Sequence, residues 1–243
     1  QAVWSRFAEA PHRYPGIVSQ IRRSPLPAFD FFTEAAIAGG WPQWNETQEN
    51  ELYKELVLLG SLPPHEARKQ ILALEQRHAE RRALVWVVLG ESSLAVALEH
   101  LAMIATITAK SLAVGSVKDM ADIYREHAWR ADDALLHALA AVEMDRDLEA
   151  VTIAIRSMYI PWADDSARHL QKVWNPLTDG IRESDRRVSY SAQTECILFV
   201  DGLRFDCGRR LLTLLQSSGL NVEERSVWAA LPSVTGTGKY AVA

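Results

Sequence analysis

Thr194-Glu195-Cys196-Ile197-Leu198-Phe199-Val200-Asp201-Gly202 is a short apolar run that stops at an Asp-Gly pair. Its length suits a buried parallel strand better than a helix, because strands covered on both faces read as continuous apolar runs. A helix is predicted next, from Leu203 to Ser218, with Leu211, Leu212, Leu214 and Leu215 on its buried side and Gly219 at its end. Residues 221–228 read as a second strand, and Pro232-Ser233-Val234-Thr235-Gly236-Thr237-Gly238-Lys239 as a polar loop feeding another helix. Strand, helix, strand and loop in that order open an α/β domain.

Upstream the pattern is helical. Residues 1–60 mix Trp4, Trp41 and Trp44 with five prolines, which predicts short helices separated by turns. From Ser61 and Pro63 a helical run continues through Leu72, Leu74, Leu84, Trp86 and Leu89 to Gly90, a C-cap. Ser92 or Ser93 caps the next helix, which Gly115 stops. Ser116 and Asp119 have the spacing of a capping box. Leu135, Leu136, Leu139 and Val142, and then Ile153, Ile155 and Met158, keep helical spacing, with Pro161 and Pro176 marking the end. The fold class is therefore a mainly α-helical region over residues 1–180, followed by the start of an α/β domain over residues 190–243. The helical part carries the acidity: residues 1–180 hold 18 Lys/Arg and 24 Asp/Glu, residues 181–243 hold 8 and 7.

Composition sets limits on function. With 48% hydrophobic and 23% charged residues among 243, the chain is globular rather than disordered or collagen-like. A net charge of -5 argues against a protein that coats nucleic acid, though it leaves room for a local basic groove. Two cysteines, Cys196 and Cys207, do not make a disulfide scaffold and point to a reducing compartment. The first fifteen residues carry no signal-peptide core, and the apolar stretch 101–114 is broken by Thr106, Thr108, Lys110 and Ser111. The expected location is the cytoplasm. Gln1 and Ala243 read as cut ends of something longer.

The residues that carry chemistry lie near the C-terminal end. Asp201 falls at the carboxyl end of a predicted strand, where open α/β sheets bind ligands and a carboxylate can hold a metal. Thr235 falls near a predicted helix N-terminus, where backbone N–H groups favour phosphate, and a metal can activate its hydroxyl. Both residues can equally be plain caps. Gly238-Lys239 is not an ATP-binding P-loop, because Ser233 and Tyr240 stand where Gly and Ser or Thr are needed. Arg204 either orients a substrate phosphate or pairs with Asp206 or another acid. The seven histidines include no HExxH pair and read as surface or partly buried helix residues. Asp132-Asp133 and Asp164-Asp165 read as caps or solvated faces. The doublets Arg22-Arg23, Arg81-Arg82, Arg186-Arg187 and Arg209-Arg210 read as solvated, and the eight tryptophans as packing residues.

Ile197-Leu198-Phe199-Val200-Asp201-Gly202-Leu203-Arg204-Phe205-Asp206 and Ala230-Leu231-Pro232-Ser233-Val234-Thr235-Gly236-Thr237-Gly238-Lys239 resemble the PglZ family. Tyr124 to Trp129-Arg130-Ala131-Asp132, and Tyr159-Ile160-Pro161-Trp162 with Ala167-Arg168-His169-Leu170-Gln171, resemble the helical stretch that precedes its domain. The resemblance covers residues 80–243 and is strongest after 194. It implies an alkaline-phosphatase-like α/β fold and a core component of a BREX-type bacteriophage-defence system. It further implies a metal-dependent phosphatase or phosphodiesterase, nuclease action included, with a two-metal site, usually zinc. Asp201 matches a metal-ligand aspartate and Thr235 the metal-bound nucleophile, with Arg204 and Lys239 as phosphate-orienting cations. The partners implied are other BREX-type defence proteins and nucleic acid, with no membrane. The family takes its remaining Asp and His ligands from segments well after the nucleophile, and no histidine follows His169 here. This stretch alone is therefore expected to be inactive and to bind zinc poorly. The competing reading is a scaffold that docks other defence proteins through its helical region. A third is a helical bundle attached to an inactive α/β remnant.

Overall fold

The computed structural model describes residues 2–25, 40–174, 198 and 200–226. Among these, every regular element is helical: α1 (Ala2–Glu9), α2 (Pro15–Arg23), α3 (Pro42–Leu58), α4 (Pro64–His78), α5 (Val85–Val88), α6 (Ser93–Thr108), α7 (Val117–Ile123), α8 (Trp129–Ala140), α9 (Asp145–Val173) and α10 (Phe205–Ser217). Short 3-10 turns occupy Pro11–Arg13, Leu59–Ser61 and Ala79–Ala83, and a π turn spans Tyr124–Ala128. Prolines sit in the first turn of α2, α3 and α4, where a missing N–H costs nothing.

The core is built around α6. Leu94, Ala97, Leu98, Leu101, Ile104 and Ala105 point to several sides of this helix and are all buried. A helix apolar over most of its circumference needs neighbours on most sides, and α3, α4, α8 and α9 pack against α6, leaving Glu99, Met103 and Thr106 exposed. Leu52 and Leu56 of α3, Ile71 and Leu74 of α4, Ala134 and Ala138 of α8, and Val151 and Met158 of α9 complete that cluster. A second cluster joins Leu112, Met120, Ala128, Ala131 and Trp162. A third seats Phe7 and Val18 on Val85 and Trp86. Among the described residues no helix is long and apolar enough to cross a membrane.

Several local expectations need correction. The run from residue 61 to 90 is not one helix. It breaks after His78 into a 3-10 turn, which swings Arg81 inward to a buried network. Gly90 does end α5, through the paired bonds Gly90 N–H to Val87 C=O and Glu91 N–H to Trp86 C=O. Ser92 is the N-cap of α6, but its hydroxyl donates to Asn45 Oδ1 instead of capping. Pro161 lies inside the 29-residue α9 rather than at its end. Packing holds the helix through it: Met158 and Trp162 are buried on either side, and Trp162 Nε1 donates to Lys110 C=O at 2.9 Å. Leu198 and Val200 are exposed and in no strand, and residues 221–226 are irregular. The remainder of both predicted strands, the loop 232–239 and the boundary between residues 180 and 190 lie outside the described residues.

The Ser116–Asp119 capping box forms as expected, and Gly115 before it has φ +63°. A Cβ on Gly115 would lie 2.9 Å from Asp119 Cβ. Gly115→Ala therefore meets two costs: about 1–2 kcal/mol for the left-handed backbone and about 1 kcal/mol for the displaced cap. Urea unfolding is expected to show a loss near their sum, and Ser116→Ala to show only the cap's share.

Candidate functional site

The site is assembled where α10 meets the helical bundle. Asp201 and Gly202 form an exposed turn, with Gly202 at φ +70°, a backbone that side chains resist. Three residues after Gly202, α10 begins at Phe205, slightly after the predicted start. It ends as predicted, with Gly219 N–H bonded to Gln216 C=O and Leu220 N–H to Leu215 C=O. Cys207 is a free, half-buried thiol. Thr235, Lys239, Cys196, Arg186 and Arg187 lie outside the described residues.

Arg204 takes the ion-pair alternative of its two readings. Its Nε donates to Asp206 Oδ1 at 3.0 Å, and its Nη2 stands 4.0 Å from Asp132 Oδ1. The hydrogen bond to Asp206, working against partial desolvation, holds the guanidinium pKa above its usual value. Asp206 has no exposed surface at all. Asp132 is not a cap or a solvated residue: it is buried, because both its oxygens are taken. Tyr124 donates its hydroxyl to Oδ2 at 2.6 Å, and Tyr159 donates to Oδ1. Burial pushes both phenol pKa values upward, and the accepting carboxylate adds to that, so both hydroxyls stay protonated donors.

Local geometry explains how Tyr124 reaches Asp132. In an unbroken α-helix, residues eight apart are offset by about 80° around the axis. The π turn Tyr124–Ala128 slows that rotation and brings the two onto one face. Phe205 then packs 5.6 Å from the Tyr124 ring and 6.3 Å from Trp129. Arg209 stacks over Trp129 at 5.4 Å and pairs with Glu224, while Arg210 Nε faces Asp133 Oδ1 at 3.6 Å. This doublet, expected to be solvated, anchors α10. An open cleft of about 300 Å³ lies beside it, lined by Asp122, Arg125, Glu126, Phe205, Arg209, Glu224 and Ser226.

A second polar network is buried near the other end. Arg81, 3% exposed, donates to Glu49 Oε1 at 2.7 Å and to Asn45 Oδ1 at 2.8 Å. Its Nη1 lies 3.2 Å from His78 Nδ1, which must accept, so the ring carries its proton on Nε2. His78 is 1% exposed, against the expectation of a surface or partly buried residue. Burial, with Arg81 and Arg77 adding repulsion, pushes its pKa down to about 4. Asp164 behaves as expected, pairing with Arg168 at 2.7 Å on an exposed face.

Sequence reasoning picked out Asp201 and Arg204 but missed Tyr124, Asp132 and Tyr159 as their neighbours. The available signal was two tyrosines beside one aspartate in stretches quoted for other reasons. Among the described residues, no three His, Cys, Asp or Glu side chains are grouped to hold a metal ion. Of the residues implied as metal-binding, Asp201 is described and Thr235 lies outside the described residues. Comparison of the chain with protein-family models, with curated proteins and with solved structures returned no match.

Proposed function

We propose that this chain is a PglZ-like component of a BREX-type phage-defence system, acting in the cytoplasm on phosphoric esters. The observation that carries the reading is the Asp201–Gly202 turn, an exposed carboxylate on a left-handed corner just before α10. Such a corner is where an α/β fold displays a ligand-binding acid. The finer fold assignment, the opening of an alkaline-phosphatase-like α/β domain, draws support from the far side of α10. Expected on the buried side, Leu211 and Leu214 are instead 44% and 63% exposed, and Leu212 and Leu215 only half-buried; the first two lie on the side turned away from Phe205 and Arg209. An apolar stripe of this kind is what a helix of an α/β unit turns toward its sheet.

In this reading Asp201 is a metal ligand, zinc being the metal implied, and Thr235 is the metal-bound nucleophile. Lys239 orients the phosphate. Arg204 already shares its charge with two carboxylates. Other defence proteins and nucleic acid are the proposed partners.

A second reading, a docking scaffold, is favoured by one observation. Among the described residues the three apolar clusters draw every member from the span between Phe7 and Val173, so the helical part has a core without α10. One experiment separates the two. Zinc-dependent hydrolysis of an aryl phosphodiester and of DNA is measured on the whole gene product, beside Asp201→Ala and Thr235→Ala. Each substitution is expected to remove at least about a hundredfold of the activity, as loss of a ligand or nucleophile does. Absent activity, or activity that survives both, makes Asp201 and Thr235 caps and leaves the scaffold.

A further inference from the structure

Two tyrosines, one eight residues before it and one 27 after it, converge on a single carboxylate. Asp132 stands on α8, Tyr124 opens the π turn after α7, and Tyr159 lies midway along α9. Each tyrosine hydroxyl takes a different oxygen of Asp132, so the carboxylate cannot rotate. The remaining side of that charge faces Arg204, just ahead of α10. Arg204 in turn holds Asp206, in the first turn of α10, where a negative charge is favoured by the helix dipole. A carboxylate with no exposed surface is costly unless paired, and Arg204 is the partner both acids share. The guanidinium thus ties the bundle to the start of α10. Phe205, between Tyr124 and Trp129, fills the apolar part of the joint.

We infer that Asp132 is a positioning residue: gripped by Tyr124 and Tyr159, it fixes Arg204 and Asp206, and through them the place of the Asp201–Gly202 turn on the helical part. What that placement is for rests on the proposed role of Asp201; the joint itself does not. The arrangement gives the helical region a task beyond docking, because it sets where the exposed acid is presented. It also gives Arg204 a task other than phosphate contact.

Hydrogen exchange on the full chain tests the joint without metal or substrate. Asp132→Asn, Tyr159→Phe and Arg204→Gln are compared with the parent, reading the amides from Gly208 to Ser217 and, as internal reference, those of α6. Each substitution is expected to lower protection in α10 by about tenfold while α6 changes by less than about threefold, because the joint opens locally and the core does not. Asp132→Asn combined with Arg204→Gln is expected to lose no more than the worse single, since both break one contact. Arg204→Lys, which keeps the charge between the acids, is expected to recover part of the loss. Tyr159→Phe and Arg204→Gln leave the core residues in place, so a misfolded Asp132→Asn does not blunt the test. Unchanged protection in α10, equal losses in α6, or fully additive losses overturn the inference. Intact local effects together with an inactive whole protein would sink the phosphoryl-transfer proposal and leave the joint standing.

Discussion

Replacing Arg81 with methionine is expected to lower the free energy of unfolding by about 3–5 kcal/mol, the cost of stranding one member of a buried ion pair. Among the described residues Arg81 is the cation paired with Glu49, whose other oxygen accepts Leu94 N–H at 2.9 Å. Desolvation already raises the Glu49 pKa, and Arg81 is the largest influence opposing it. Without the guanidinium, Glu49 has to take up a proton or draw water into the gap between α3 and α6. Asn45 Oδ1 keeps Ser92 Oγ at 2.9 Å, so that oxygen is not stranded. Arg81 Nε has no hydrogen-bond partner among the described residues, and its removal returns a little of the loss. Arg81→Met with Glu49→Leu is expected to recover most of the stability, since replacing a whole buried pair with apolar groups is often neutral. Urea unfolding of the two singles and the double measures this. A cost below about 1 kcal/mol for Arg81→Met would place it with surface ion pairs and refute the network.

Signals written within a few residues were legible. The Ser116–Asp119 cap, the stops at Gly90 and Gly219, and the helical spacing through Leu139 and Met158 all depend on neighbours one turn away, whereas the helix expected to run to Gly115 ends at Thr108. What could not be read was the inside of the molecule. Arg81 and His78 look like surface residues of an amphipathic run, and only the 3-10 turn after His78 turns Arg81 toward Asn45 and Glu49 on another helix. Pro161 reads as a stop because the flanking contacts that carry α9 past it come from Lys110 and the second apolar cluster. The candidate site divides the same way. Asp201 and Arg204 announce themselves in one short motif. Asp132 looked solvated, because an aspartate doublet on a helix has no signature for two phenols arriving from other elements. The π turn that aligns Tyr124 leaves no mark in the spacing of apolar residues.

Acidification from pH 7 to 4 is expected to destabilise the protein through His78 by up to about 3 kcal/mol, 1.36 kcal/mol for each unit between its folded and unfolded pKa. Unfolded, the imidazole takes up a proton near the ordinary value of 6.5; folded, it resists until about 4. Across that window the unfolded chain binds more protons, so stability falls as pH drops through 6.5 and the loss levels off below 4. The cause is built into the network. Protonation would place a cation at Nδ1 against Arg81 Nη1, with both side chains buried. His100, stacked at 5.1 Å on His137, has its pKa lowered by burial and by that neighbour, and acts in the same direction. Glu49 acts the other way, since its raised pKa makes the folded state bind a proton first. His78→Gln isolates the contribution: its amide oxygen still accepts from Arg81, and it cannot titrate. Stability of the parent minus that of His78→Gln, from urea unfolding at each pH, is expected to be constant above 7 and to drop steadily from 6.5 to 4. A flat difference would mean that His78 takes up its proton as readily in the folded protein as in the unfolded chain, and Arg81 would then have to donate elsewhere.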